Sequence, residues 1–500
     1  MIKAQQKRPN RFRCATLLVA LALIAAACSG GEGEEASADL ITDTADSGQV
    51  DAGVTDAETV DDGNDSLTVA GASVVIERVP VEETITVAVV NSPTMSEIIA
   101  LSNDFFTAPT GINVVFEQFD QQIFREDVTS GHGARRYDVI VTSPFTAPQW
   151  GQNGWLINLS SLATEDSDYN VGDIITSVGA ANSFSGDLYA LPFYAESSFI
   201  MFNQQIMNDN NIDFPDNPTW EDVAEIASIV HTDDIAGICL RGRPAWDQLG
   251  ASLTTVVNTF GGTWWETPTD DDYLGEAQIN QPDSGFRAAA EFYVDLARNY
   301  GPDDAANQNF NECLEQFQNG EVAIWYDSTV AASILEADDS PVAGNVGYAL
   351  APTGDTQIPS GWLWTWGLAI PNNAPHFEAA WDYIRWATSA ETVRLIGENS
   401  PDGWAAAAPA ARLSSYEIPE FLEANDRYAD ITLESITNAD PNNPGTTTRP
   451  GLPGVQYVGI PEFENFGSRC ARQFSDAIAG DISTDEALDR CQTIASEVSQ

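Results

Sequence analysis

The segment Ile85-Thr-Val-Ala-Val-Val90 begins an alternation of strands and helices that decides the fold. It is short, almost wholly apolar and rich in β-branched residues, which predicts a buried strand. Residues 96–106 then carry apolar side chains at helical spacing, and further strands are predicted at 112–119 and 137–142. Strands that alternate with helices predict a parallel sheet with right-handed crossovers, and therefore an α/β fold.

A second α/β region follows the first one. Its clearest helix starts after Thr219, an N-cap residue with Asp222 at the third helical position. Strands are predicted at 347–351 and 367–371, and an amphipathic helix begins at Phe377. A chain of 500 residues has room for two or three such folding units.

The amino terminus has the pattern of an export signal. Residues 1–13 are basic and residues 15–27 are apolar, a run too short to span a bilayer, so 1–27 is predicted to be a signal peptide. Small residues before Cys28 resemble a bacterial lipobox, although Ala25 stands where that motif usually has Leu. We expect Cys28 to receive lipid, with a plain secretory signal as the alternative.

The next segment is acidic and contains little that could form a core. Residues 29–66 include 12 acids, no base and no aromatic residue. Such a composition cannot offset the entropy of ordering, and like charges extend the chain. We therefore predict that 28–83 is a disordered tether, which holds a folded body outside the cytoplasm on the cell membrane.

The whole chain is strongly acidic, with 21 Lys and Arg against 75 Asp and Glu and a formal net charge of −54. Cleavage before Cys28 would leave 16 arginines, no lysine and a charge of −59. This surface repels phosphate backbones and anionic lipids, so we expect no nucleic-acid partner and membrane contact only through the anchor. It is also compatible with a saline habitat, where salt screens the self-repulsion.

Four cysteines remain beyond the lipidation site: Cys239, Cys313, Cys470 and Cys491. They form no C-x-x-C pair, and the three histidines are scattered, so neither a metal site nor a cofactor is predicted. Cys470 and Cys491 lie on the two arms of a predicted helical hairpin, where we expect a disulfide. Cys239–Cys313 would then be the remaining pair.

Catalytic signatures are missing from the sequence. It has no Walker loop, no G-x-S-x-G elbow and no H-E-x-x-H. A carboxylate pair, as in glycoside hydrolases, stays open as an alternative, but 75 acids offer so many pairs that none carries weight.

The aromatic residues are more informative because they cluster. The clusters are Trp264-Trp265, Trp325-Tyr326 and Trp362-x-Trp364-x-Trp366. Alternate spacing puts the last three indoles on one face of an extended segment, where they either fill a core or line a cleft. Charged groups nearby, such as Arg241 and Asp327, favour a carbohydrate-like ligand, whose C–H faces lie on rings while its hydroxyls bond polar groups.

Several strings occur in order along the chain: Leu191-Pro-Phe-Tyr-Ala-Glu-Ser-Ser198, Gly237-Ile-Cys-Leu-Arg-Gly-Arg-Pro-Ala-Trp246, Trp325-Tyr-Asp-Ser-Thr-Val-Ala-Ala-Ser333 and Trp362-Leu-Trp-Thr-Trp-Gly-Leu-Ala-Ile-Pro371. With them, residues 84–412 resemble the extracellular solute-binding proteins of bacterial ABC importers, family 1. Within that family the resemblance is to the sorbitol and mannitol (polyol) binders.

This resemblance implies two α/β lobes joined by hinge strands, with a ligand cleft between them. Lobe 1 would combine 84–195 with 350–400, and lobe 2 would combine 196–349 with 401–500. The protein would be a monomer without enzymatic activity, which captures a polyol or small sugar and delivers it to the transmembrane subunits of a permease. The alternatives are a secreted glycan-active hydrolase and a surface sensor or adhesion module of the same fold.

The resemblance also implies a set of ligand-binding residues: Tyr194, Glu196, Arg241, Trp265, Asp327, Trp362, Trp364 and Trp366. Arg241 and Asp327 would hydrogen-bond the ligand's hydroxyls and the indoles would stack on it, with at least one indole packing inward as core. A hinge-region cap is the alternative role for Glu196. Val322 stands where the polyol subgroup has a cysteine, so Cys313 would replace that cysteine as the partner of Cys239.

Overall fold

The computed structural model describes residues 66–69, 72–75, 83–119, 136–266, 274–407, 409–449 and 451–499. It divides the chain into two units, Met1–Glu77 and Arg78–Gln500. The predicted signal peptide at 1–27 and the predicted lipidation residue Cys28 lie outside the described residues.

The first unit contains a short antiparallel hairpin of Ser66–Val69 (β1) and Ala72–Val75 (β2). The sequence analysis placed both strands inside a disordered tether, so this part of the prediction differs from the structure. The acidic run ends at Asp65, and the hairpin that follows is built mainly from β-branched and other apolar residues, which favour strands.

The second unit has two main sheets and a small hairpin. Its strands are β3 (Thr84–Val90), β4 (Asn113–Phe119), β5 (Val139–Thr142), β6 (Ser183–Phe184), β7 (Asp187–Leu188), β8 (Leu191–Glu196), β9 (Ser198–Asn203), β10 (Ala236–Cys239), β11 (Val322–Ser328), β12 (Val346–Leu350) and β13 (Trp364–Ala369). The sheets have the orders β4-β3-β5-β13-β8 and β10-β11-β9-β12, and β6 pairs with β7.

The five-stranded sheet is mixed rather than purely parallel. Strands β4 and β5 both lie parallel to β3, as the strand–helix alternation predicted. Strand β13 is antiparallel to β5 and to β8, because the chain returns from the second half of the molecule to complete this sheet. That return was not visible in local sequence patterns.

The four-stranded sheet is the centre of the second half. Its strand β11 is parallel to β10 and antiparallel to β9, and all its residues are buried, with apolar side chains in two different clusters. Ile324 and Tyr326 enter one cluster and Trp325 enters the other.

The helices cover both sheets. In chain order they are α1 (Pro93–Ser102), α2 (Ala108–Thr110), α3 (Ala147–Gln152), α4 (Ser160–Glu165), α5 (Thr176–Ala181), α6 (Gln204–Asp209), α7 (Trp220–Val230), α8 (Leu249–Thr259), α9 (Gly285–Tyr300), α10 (Phe310–Gln318), α11 (Ala331–Leu335), α12 (Phe377–Ala387), α13 (Ala390–Asn399), α14 (Pro419–Ala424), α15 (Ala429–Asn438), α16 (Phe463–Ala479) and α17 (Thr484–Val498). Among the described residues, no helix is both long and apolar enough to cross a membrane.

Each main sheet has its own apolar core, which defines two lobes. The core of the five-stranded sheet includes apolar residues between 407 and 439, although the sequence analysis assigned 401–500 to the second lobe. The Ser177 hydroxyl on α5 donates to the Ile436 carbonyl at 2.7 Å, and the buried Arg412 pairs with Asp173 at 3.3 Å. This part of the chain therefore packs mainly with lobe 1, although Tyr428 lies in a cluster of lobe 2. The chain returns to lobe 2 from Tyr457 onward, including α16 and α17.

Three segments connect the lobes. The first is Ser197, between β8 in lobe 1 and β9 in lobe 2; the second is 351–363, between β12 and β13; the third is 440–456, between α15 and α16. We call them the three hinge segments.

Two disulfides lie within lobe 2. Cys470 on α16 is bonded to Cys491 on α17, and Cys239 at the end of β10 is bonded to Cys313 on α10. The first joins the arms of the helical hairpin, and the second joins a strand of the sheet to a helix that covers it.

Candidate functional site

A cavity of about 170 Å³ opens between the two lobes, at the level of the hinge segments. Its lining residues come from both lobes and from two hinge segments: Glu196, Arg241, Trp246, Asp247, Gln248, Ala251, Trp362, Trp364 and Gln456. Its lining of several indoles and few charged groups is typical of a small-molecule site.

Arg241, just beyond β10, is held by a buried carboxylate. Its Nε donates to Asp327 Oδ2 at 2.9 Å and its Nη2 donates to Asp327 Oδ1 at 2.6 Å. Asp327, on β11, has no exposed side-chain surface, whereas the Arg241 side chain keeps 12% exposure. Burial opposes the guanidinium charge, but the neighbouring charge and hydrogen bonds of Asp327 outweigh it and raise the pKa of Arg241.

The remaining bonds of Arg241 fix the loop that precedes α8. Its Nη1 lies 3.3 Å from the Asp247 carbonyl oxygen and 3.3 Å from Gln248 Oε1, and it donates to both. Asp327 therefore sets the position of Arg241, and Arg241 in turn orders one wall of the cavity.

Glu196 ends β8 and joins the two lobes by hydrogen bonds. Its Oε2 accepts from the Tyr194 hydroxyl in its own strand and from Ser328 Oγ in lobe 2, the latter at 2.7 Å. Burial, together with the nearby charge of Asp327, raises the pKa of Glu196, while these two bonds and Arg241 act in the opposite direction. Burial and the Glu196 carboxylate also raise the pKa of the Tyr194 hydroxyl.

Three indoles form the apolar walls. Trp364 is directly opposite Glu196 in the pairing of β13 with β8, so both side chains lie on one face of the sheet. Trp362 lies beneath the Arg241 guanidinium, whose carbon is 5.1 Å from the ring centre. The rings of Trp246 and Trp364 are 6.4 Å apart, which brings an indole from each lobe into contact across the cavity.

The cleft is also bridged beside the cavity. Phe145, in the loop after β5 of lobe 1, packs on Trp246 at 5.3 Å and on Tyr457 at 5.2 Å in lobe 2. Gln456 in the third hinge segment donates to the Leu363 carbonyl and accepts from the Leu363 amide. The second and third hinge segments are therefore hydrogen-bonded to each other at the cavity.

The structure brings together most of the residues that the sequence nominated. Glu196, Arg241, Trp362 and Trp364 line the cavity. Asp327 and Tyr194 lie behind it and hold Arg241 and Glu196, so Asp327 positions Arg241 rather than lining the cavity itself.

Two of the nominated tryptophans are placed differently. Trp366 is opposite Tyr194, two pairs further along the strands, and its ring packs edge-on against Trp364 at 5.6 Å. Trp265 is fully buried in the lobe 2 core, against the Phe466 ring at 4.7 Å, and its Nε1 donates to Ser499 Oγ at 3.0 Å. We therefore remove Trp265 from the candidate site.

Five lining residues were missed: Trp246, Asp247, Gln248, Ala251 and Gln456. Trp246 ends the Arg-Gly-Arg-Pro-Ala-Trp string, and its proximity to Arg241 was the available signal. No local sequence pattern marks Gln456 as a cavity residue, because it reaches the cavity only through its contact with Leu363, which is 93 positions away in the sequence.

The cavity is suited to holding a ligand through hydrogen bonds and ring contacts. It offers a guanidinium, two carboxylates and two side-chain amides beside three indoles. No cluster of three or more His, Cys, Asp or Glu side chains capable of holding a metal ion occurs in the described part of the chain.

Comparison with known proteins defines the class. The family described as bacterial extracellular solute-binding protein matches residues 91–394, which is more than half of the chain. The mannitol-binding protein of Pseudomonas aeruginosa is 33% identical over 415 residues, covering 82% of this chain and 92% of that protein. The chain therefore belongs to the bacterial extracellular solute-binding proteins.

Among solved structures, an ABC transporter solute-binding protein from Agrobacterium vitis S4, with bound D-mannitol, is similar to this chain. It has a TM-score of 0.73 and 37% sequence identity, and the match covers 83% of this chain and 98% of that one. A solute-binding protein from Agrobacterium radiobacter K84 in complex with ribitol has a TM-score of 0.68 at 21% identity, so this comparison shows a similar fold alone. The predicted two-lobe α/β architecture and the predicted family are thus confirmed.

Proposed function

We propose that this protein binds an acyclic polyol of the mannitol type in the cavity between its lobes and delivers it to an ABC permease. The observation that carries the proposal is the arrangement of Arg241, fixed by the buried Asp327, beside Glu196 and the indoles of Trp362 and Trp364. The same ligand class is supported by a 33% identical relative that is named a mannitol-binding protein and by a 37% identical protein whose structure contains bound D-mannitol.

Each part of the cavity has a role that suits a polyol. The chain of C–H groups would lie on Trp362 and Trp364, while hydroxyls would donate to Glu196 and accept from Arg241. Hydrogen bonds to charged partners contribute about 1.5–3 kcal/mol each, enough to hold a small neutral ligand when several act together. Since Arg241 and Asp247 belong to lobe 2 and Trp364 to lobe 1, one ligand would contact both lobes and favour their closure.

We further propose that the protein is exported and anchored through lipid on Cys28, with residues 29–65 as an acidic spacer. A Cys28→Ser variant should appear in the soluble extracytoplasmic fraction instead of the membrane fraction. Continued sedimentation of this variant with membranes would contradict the anchor while leaving the ligand proposal untouched.

Calorimetric titration of the mature protein tests the ligand class. D-mannitol, D-glucitol and ribitol should give saturable binding, and saturation at about 100 times Kd should stabilise the fold by roughly 2.7 kcal/mol. The Arg241→Lys variant keeps the charge but loses the planar fork, so its affinity should fall by about tenfold or more. An absence of binding to every polyol tested would refute the proposal.

A matched tryptophan control separates site effects from general packing effects. Trp364→Leu should weaken polyol binding, whereas Trp381→Leu, on α12 and in contact with Tyr169, should leave the affinity unchanged. Incubation with oligosaccharides tests the hydrolase alternative: product formation that depends on Glu196 would favour an enzyme over a binding protein.

A further inference from the structure

The cavity has more negative than positive charge. Glu196 and Asp247 line it, and Asp327 lies directly behind Arg241, the one cation among the described lining residues. The Asp247 charge also acts on Arg241 and favours its charged form. Because Asp327 neutralises Arg241 through two short hydrogen bonds, the remaining field in the cavity comes mainly from Glu196 and Asp247.

Glu196 has unused capacity to accept hydrogen bonds. Its Oε2 accepts from Tyr194 and Ser328, but no described residue donates to Oε1. Glu196 is only partly buried and lines the cavity, so its Oε1 can accept from a ligand. A charged donor would bind this carboxylate more strongly than a neutral hydroxyl.

The aromatic walls favour the same kind of ligand. The face of an indole attracts cations within about 6 Å of its centre, and Trp362 already holds the Arg241 guanidinium in this way. Trp246 and Trp364 add two further indoles to the same cavity. Indoles combined with carboxylates are suited to an ammonium group, whereas an anionic ligand would find only Arg241, which is already paired.

We propose that this cavity also binds polyols that carry one ammonium group, and that it rejects polyol acids. This inference rests on the proposed function, since it concerns the same cavity and a ligand of the same length. Mannitol has two equivalent ends, so an analogue with one terminal hydroxyl replaced by ammonium can bind with that group beside Glu196. The formal charge of −54 adds a long-range attraction for such a cation and a repulsion for an acid.

Three ligands of the same stereochemistry test the proposal: D-mannitol, its terminal amine analogue (amino-mannitol) and its terminal acid (D-mannonate). Titrated at neutral pH and low salt, amino-mannitol should bind at least as tightly as mannitol. D-mannonate should bind about 100-fold more weakly than amino-mannitol, because it would bring a like charge to Glu196 and Asp247. Weaker binding of amino-mannitol than of mannitol would overturn the inference, and so would equal binding of the acid and the amine.

Variants and salt locate the effect in the cavity. Glu196→Gln should reduce the affinity for amino-mannitol by about tenfold more than the affinity for mannitol. Glu497→Gln, which removes an exposed carboxylate paired with Arg469 on the helical hairpin, should change neither. If Glu196→Gln unfolds the protein, titrations of the unmodified protein at increasing salt test the inference instead. Of the three ligands, only amino-mannitol should lose affinity as the screening length shortens from about 10 Å at 0.1 M to about 3 Å at 1 M.

The two proposals can fail separately. Binding of mannitol with rejection of amino-mannitol refutes this inference and leaves the proposed function in place. Binding of amino-mannitol without mannitol supports the inference and refutes the neutral polyol as the ligand. If none of the three binds, both proposals are wrong.

Discussion

The Asp327→Asn substitution should destabilise the protein far more than the removal of an exposed charge. The Asp327 side chain has no exposed surface, and it accepts two hydrogen bonds from Arg241, at 2.6 and 2.9 Å, and one from the Ser328 amide at 2.7 Å. The amide side chain would leave the nearly buried Arg241 charge without its hydrogen-bonded carboxylate. Loss of one partner from a buried ion pair costs about 3–5 kcal/mol.

Denaturant unfolding followed by tryptophan fluorescence measures this loss. The matched control is Glu312→Gln, which removes a carboxylate from the neighbouring Arg243, where both side chains are exposed by more than a third. That exposed pair should contribute about 0–1 kcal/mol. A double variant, Arg241→Met with Asp327→Leu, should recover most of the stability because no buried charge is left unpaired. The same double variant should not bind polyols, because it lacks the Arg241 guanidinium. If Asp327→Asn and Glu312→Gln lower the free energy of unfolding equally, our account of this pair is wrong.

Three further predictions follow from packing, covalent linkage and charge. Trp265→Ala should lower the free energy of unfolding by about 3–5 kcal/mol without changing the polyol affinity of the folded protein, whereas Trp364→Ala should lower the polyol affinity with little loss of stability. Denaturant unfolding measures the stability and calorimetry measures the affinity. A loss of affinity confined to Trp265→Ala would contradict the assignment. A Cys470→Ser, Cys491→Ser double variant should lose about 3 kcal/mol in the chain-entropy model, measured by urea unfolding; an unchanged midpoint would show that the loop is constrained without the bond. Raising NaCl from 0.1 to 1 M should raise the urea midpoint, because the screening length falls from about 10 to about 3 Å across a surface dominated by acids; a lower midpoint would contradict this.

Local sequence patterns predicted the elements whose signals are local. The helix Trp220–Val230 begins where the capping pattern of Thr219 and Asp222 predicted it, and both residues form the reciprocal capping bonds. The buried strand Thr84–Val90 was predicted from its run of β-branched residues. The two helices of the terminal hairpin were predicted from an apolar face that repeats along each helix.

The remaining features depend on contacts between distant parts of the chain. Trp265 and Trp364 both lie in short tryptophan clusters of the sequence, yet Trp265 packs against Phe466 in a core and Trp364 lines the cavity. The antiparallel position of β13 and the packing of residues 407–439 on lobe 1 likewise depend on where the chain returns after leaving each lobe. Hydrophobicity alone cannot distinguish these cases, because a buried ring and a cavity wall require the same side chain.

The three passages of the chain between the lobes have a consequence for biogenesis. The core of lobe 1 lacks its last helix until residue 438 has been synthesised, and lobe 2 lacks its final helical hairpin until Val498. A nascent chain therefore cannot finish one half before starting the other, and apolar surface of both halves stays uncovered until synthesis is nearly complete. We therefore expect that even a short truncation at the carboxyl terminus would leave lobe 2 open to aggregation and proteolysis.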